Sequence, residues 1–294
     1  MRITRRSFLQ AGAGLAAVTF PSSAWPSAQA TLSAGDVIQR IKDKVGVPWR
    51  AQTVDNLIAG RPETRVRGIA TTMMATLDVM QRAAAAGRNL VITHEPTFYS
   101  HQDTRDTLTQ DPAYQFKDAF LREHDMAVFR FHDHWHAMRP DGIALGMARE
   151  LGWEKNRVAD NQREFTFAGV TLAQLAGQIR ERLGARTVRV VGDPELPVNR
   201  VAASWGYFTF NPASLAINRP DVDVFVVGET REWETVEHVQ DLIASGKKKG
   251  LIVIGHVASE QAGMKYCADW LKGFITEVPV EFVPASEPFW TPRG

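Results

Sequence analysis

Five of the eight histidines in this 294-residue chain stand just after strand-like stretches: His94, His132, His134, His136 and His256. Open α/β sheets collect their ligands at the carboxyl ends of strands, so this placement constrains the fold more than any other feature. Strand patterns read at 65–72, 89–93, 126–131, 165–167, 188–191, 200–203, 222–227, 250–254 and 280–283. Helical patterns read at 33–44, 77–86, 114–124, 143–151, 172–183, 235–245 and 261–271, with Gly152 and Gly184 as stops. This alternation predicts an α/β fold of two layered lobes, about 31–155 and 160–294, with parallel or mixed sheets. The halves share a grammar: residues 87–95 and 249–256 each run from a polar turn through an apolar strand to a histidine. A site is therefore expected at strand C-terminal ends, between the lobes.

Composition removes several alternatives. With 34 basic and 33 acidic residues there is no field of one sign to hold nucleic acid or an anionic membrane. The single cysteine, Cys267, excludes an internal disulfide and a cysteine-rich zinc module. No apolar run approaches the roughly 20 residues of a membrane span. Lys247, Lys248 and Lys249 read as a solvated loop, and Trp205, Tyr207, Phe208 and Phe210 as core, interface or pocket lining.

Residues 1–30 read as an address. Arg5 and Arg6 precede Phe8-Leu9, a mildly apolar run covers 11–20, and Ala28-Gln29-Ala30 has the small-x-small pattern of a cleavage site. This looks like a twin-arginine export signal, which makes the export machinery a partner and the periplasm the destination.

Three clusters carry the chemistry: His94-Glu95, then His132-Asp133-His134-Trp135-His136, then His256-x-x-x-Glu260. Imidazole and carboxylate together suit a divalent ion such as zinc, iron, manganese or nickel, and the scarcity of thiol disfavours a structural zinc site. Three strand ends converging in this way would hold one or two ions. The His256–Glu260 spacing places both side chains on one helical face. Glu229 follows another strand and either enters the site or caps the next helix.

These segments resemble the Nif-three-like dinuclear metal-centre family, also known as GTP cyclohydrolase 1 type 2 homologues. The matching stretches are residues 91–96, 131–136 and 254–260, with support from 55–57, 191–193 and 226–229. The resemblance implies His94, Glu95, His136, His256 and Glu260 as metal ligands, with Glu260 as the bridge. His132, Asp133 and His134 fall around them, orienting ligands or facing substrate. Glu95 stands where the family has a second histidine, and His136 where it has aspartate. Ser204-Trp205-Gly206-Tyr207 replaces the family's glycine-rich turn, which bears on substrate. A toroidal hexamer is implied as well.

The resulting expectation is a hydrolase acting through metal-activated water on an amide, cyclic amide or phosphoester, with His132 and Glu229 as candidate catalytic groups. The resemblance adds ring opening of GTP. The alternative is a non-catalytic metal-binding, metal-delivery or scaffold protein.

Overall fold

In chain order the strands are β1 (Leu57–Ala59), β2 (Ile69–Met74), β3 (Leu90–Glu95), β4 (Ala127–Arg130), β5 (Glu164–Thr171), β6 (Arg189–Val191), β7 (Pro197–Tyr207), β8 (Val224–Glu229), β9 (Gly250–Val253) and β10 (Val280–Phe282). The helices are α1 (Ala34–Lys44), α2 (Leu77–Ala85), α3 (Pro112–Glu123), α4 (Asp133–Ala137), α5 (Gly142–Leu151), α6 (Leu172–Leu183), α7 (Phe210–Asn218), α8 (Glu237–Ala244) and α9 (His256–Lys272). This is a computed structural model, and it describes residues 32–159 and 161–292. The proposed address at 1–30 lies outside the described residues.

Two five-stranded sheets result, as the alternation predicts. The first has the order β1-β4-β3-β2-β10, the second β5-β7-β8-β9-β6. Within each, the central strands are parallel and the antiparallel partners are edge strands: β1 in the first, β5 and β6 in the second. Strands β3 and β9 are apolar runs buried on both faces, as helix-covered parallel strands require. Every parallel neighbour therefore ends on the same side of its sheet, and that brings the histidines together.

Five elements differ from expectation, the first being the three-residue edge strand β1, which no expected stretch covers. Strand β10 pairs in parallel with β2, so the C-terminus returns to the first sheet instead of completing the second lobe. Helix α9 begins at His256, five residues earlier than its apolar periodicity suggests, and packs on α5 and β2. Helix α7 and the five-residue α4 carry too short or too mixed a pattern to be read from sequence. Lys249 is not solvated: it is buried and its ammonium donates to the carbonyls of Arg219 and Val222.

An aromatic group seats α4. Trp135 is fully buried, with its ring 5.4 Å from that of Phe131 and 5.3 Å from that of Trp270 on α9. Trp205 and Phe208 join the core, against Trp153 and Phe225. Among the described residues no helix is long and apolar enough to cross a membrane.

Candidate metal centre

β3 delivers His94 and Glu95 at its last two positions. His132 follows β4, and α4 carries His136 one turn further on. From the other sheet, β9 runs through Gly255 into α9, which presents His256 and Glu260 on one face. The six side chains meet. Ligand atoms of His94, His132 and His136 lie within 4.8 Å of one another, as do those of His94, Glu95 and Glu260.

Each imidazole is held from behind. Nδ1 of His94 donates to the Phe131 carbonyl at 3.2 Å, and Nδ1 of His132 to Asp133 at 2.9 Å. Nδ1 of His136 donates to Asp141 at 3.1 Å, and Nδ1 of His256 to Glu229 at 2.9 Å. With Nδ1 engaged, all four Nε2 atoms turn inward on the two carboxylates. His94 and His256 lie 3.6 and 3.1 Å from Glu260 Oε2, and His136 lies 3.7 Å from Glu260 Oε1. Glu95 Oε1 lies 3.3 Å from His256 and 3.8 Å from His132. Partners of this kind, carbonyl or carboxylate on the outer nitrogen, are what fixes tautomer and ring direction in metal-ligating histidines.

His134 faces elsewhere. Its Nδ1 donates to Asp55 at 2.7 Å and its Nε2 accepts from the backbone N–H of Arg50 at 2.9 Å, while Trp49 stacks on its ring. Both nitrogens are taken, so it has no lone pair to offer. Asp133 orients His132 and is itself fixed by the Thr53 hydroxyl. Glu229 reaches His256 instead of capping the turn after β8, whose first residue has no side-chain cap.

Three further residues shape the centre. Asp55 accepts the backbone N–H groups of His132, Asp133 and His134, capping α4 from a remote segment. Fully buried Arg130 stands behind Glu95, 3.4 Å from its Oε2. Gly206 adopts φ +76°, and a Cβ there would come within 2.3 Å of Glu260 Oε1. Asp141 is recognisable in sequence as the N-cap of α5, but its second oxygen on His136 is not. The roles of Asp55, Arg130 and Gly206 depend on contacts between segments tens of residues apart, which local pattern does not encode.

The electrostatics follow from this geometry. Burial pushes the Glu95 carboxyl up, but the His256 bond and the His94 charge outweigh it and hold the group at about 2. Burial likewise opposes ionisation of Glu260, yet His94 and His256 keep it well below the usual range. Burial would neutralise His256; its contacts with Glu229, Glu260 and Glu95 instead raise it to about 12. His132 is pushed down by burial and by the neighbouring His94 charge. The carboxylates stay ionised and draw positive charge inward.

A cavity of about 660 Å³ opens beside the cluster, lined by Glu95, His256 and Glu229 together with Met74, Leu77, Tyr99, His101 and Lys117. That volume is within the ordinary range for small-molecule sites.

The sequence profile of the Duf34/NIF3 (NGG1p interacting factor 3) family matches residues 33–288. Over 268 residues the chain is 24% identical to a GTP cyclohydrolase 1 type 2 homolog of Clostridium perfringens, covering 86% of this chain and 95% of that protein. Its fold is similar to a hypothetical protein of Staphylococcus aureus, with a TM-score of 0.70 at 18% identity, covering 89% of this chain and 99% of the other. A Bacillus cereus protein related to NIF3 gives a TM-score of 0.69 at 14% identity, with the same coverage. The match runs from the cap of α1 to beyond β10 and takes in both sheets and the whole cluster: this chain belongs to the Duf34/NIF3 family.

Proposed function

We propose that the chain holds one or two divalent metal ions at this cluster and works as a hydrolase of an amide, cyclic amide or phosphoester. One observation carries the metal reading. Nε2 of His94 is buried and has no hydrogen-bond partner, although Nδ1 of the same ring is fixed on a carbonyl. A buried polar atom left in this state is costly unless something else satisfies it. A cation does so, and it also balances two buried carboxylates.

In this reading His94, Glu95, His136, His256 and Glu260 are the ligands, and His132 adds a fourth imidazole. Glu260 has one oxygen toward His94 and His256 and the other toward His136, and in this reading it would be the ligand shared by two ions. A divalent ion supplies Lewis acidity and a nucleophile at neutral pH when bound. The chain's own residues do the rest. Glu95 and Glu260 stay ionised, Asp133, Asp141 and Glu229 orient the imidazoles, and half-exposed Glu229 is positioned to pass a proton between cavity and solvent. Storage or delivery of a metal would not require the adjoining cavity, which is why catalysis is favoured.

The same proposal includes export: residues 1–30 act as a twin-arginine signal and the periplasm is the destination.

The test is elemental analysis of protein never exposed to chelator, followed by a hydrolase panel that includes GTP, the substrate in the clostridial relative's name. One to two divalent ions per chain are expected. Glu260→Ala should weaken binding by several kcal/mol and abolish turnover, since a charged ligand is lost from a desolvated site. A parent with under about 0.2 ion per chain would sink the metal reading. A loaded parent inert on the whole panel would sink catalysis alone.

A further inference from the structure

Lys117 is a cation that the cluster does not use. It lines the cavity beside Glu95 and His256 from α3, and the residue is only 4% exposed. One N–H of its ammonium donates to the Thr97 carbonyl at 2.6 Å. Lysine has three N–H donors, and no hydrogen-bond partner meets the other two among the described residues. The rings of Tyr99 and Phe98 lie 5.3 and 5.7 Å from Nζ and offset part of the desolvation. Burial lowers the group to about 8, against the pull of Asp103, so it keeps its charge at neutral pH.

The loop that frames it is built at some expense. Tyr99 and Asp103 have φ values of +60° and +52°, a region that side chains other than glycine rarely adopt. Asp103 Oδ1 accepts the N–H groups of Thr97 and Phe98 at 2.7 Å each. Those amides are thereby removed as an anion-binding nest. Arg130 is committed to Glu95 and to backbone carbonyls, and among the described residues no arginine lines the cavity. Away from Glu95, Glu229 and His256, which pair with one another at the cluster, the cavity offers one ammonium with two donors unmet among the described residues and an apolar ledge from Met74 and Leu77. Polyphosphates call for several cations or backbone amides. A single carboxylate calls for one cation with two donors.

We propose that Lys117 anchors a carboxylate of the substrate, so that the hydrolase acts on small N-acylated or cyclic-amide acids. The apolar ledge holds the body of the substrate and its amide faces the cluster. This rests on the hydrolase reading only for the direction in which the amide points; the carboxylate site stands on Lys117 itself.

The experiment compares N-acetylglycine with its uncharged analogue N-acetylglycinamide, by calorimetry or ligand-observed NMR on the full metal-loaded chain. The parent should bind the acid about tenfold or more tightly than the amide. Lys117→Met should abolish that preference while metal per chain, measured on the same samples, stays at the parent's level. Lys117→Arg should keep a preference for the acid. No binding of the acid by the parent, an unchanged preference in Lys117→Met, or tighter binding of tripolyphosphate than of the acid would overturn the proposal. Failure of the metal reading shows instead in elemental analysis, and it leaves the acid–amide comparison readable on the same protein.

Discussion

An imidazole presents whichever ring nitrogen its surroundings leave free, and in this protein five histidines are sorted by that rule. His94, His132, His136 and His256 have Nδ1 occupied and Nε2 open to the cluster; His134, in the same short segment, has both occupied. Lys117 shows the opposite economy. Its lowered pKa means that the folded state binds this proton less readily than the unfolded chain does. The destabilisation is full below about pH 8, shrinks as the pH rises, and is gone above about 10.5, where both states are neutral. Lys117→Met should therefore stabilise the protein at pH 7, on the order of 1–3 kcal/mol after allowing for the lost bond to Thr97. Urea unfolding at pH 7 and at pH 10 checks this. The gain should be smaller at pH 10, and a variant no more stable than the parent at pH 7 would mean that the ammonium is well solvated.

Among the elements, α4 is the one whose placement most needs explaining. Five residues are too few to sustain a helix in water. Two things hold it: Trp135 in an aromatic nest, and Asp55, whose carboxylate takes three backbone N–H groups and the ring of His134. Removing that carboxylate leaves several donors unsatisfied at once. Asp55→Ala should destabilise the fold by about 2–4 kcal/mol in denaturant unfolding. If the proposed ligand set is right, metal per chain should fall as well, because His132 and His136 lose their common support. Normal metal content in a folded Asp55→Ala protein would show that the ions do not depend on α4. Glu95 and His136, the two positions at which the sequence reading expects a departure from the family pattern, are likewise matched by their surroundings. Arg130 faces the carboxylate and Asp141 faces the imidazole, so each substitution sits against a group of opposite charge or hydrogen-bonding sense.

For the molecule as a whole, the cluster takes side chains from both sheets: His94, Glu95, His132 and His136 from the first, His256 and Glu260 from the junction of β9 with α9. It cannot be complete until both sheets have formed. A route that exports folded chains suits such a protein. If residues 1–30 are the export signal proposed above, replacing Arg5 and Arg6 by lysine should leave folded, metal-loaded precursor in the cytoplasm, as cell fractionation with elemental analysis would show. Normal periplasmic delivery of that variant would point to the general secretory route.

Local pattern was enough to reveal most of the strands and helices that carry the site. β3 opens on an apolar run and β9 is one, α5 and α6 end on left-handed glycines, and periodicity marks a buried face along the helices. That the strands end in ligating residues is likewise visible in one dimension. The return of β10 to the first sheet was not visible, because strand pairing is a long-range choice that three residues do not encode. Nor was the division of labour among the histidines, since it depends on what meets each Nδ1: Asp141 beyond a turn, Glu229 from the next strand, Asp55 from some eighty residues away. Nothing in the local pattern singles out Lys117, and Gly206 reads only as part of an altered turn. The sequence by itself determined an α/β chain with histidines and carboxylates at its strand ends. Tertiary structure alone decided which nitrogens face inward, which ammonium lines the cavity and which carboxylate stands among the imidazoles, because those depend on distances between segments that the chain brings together only on folding.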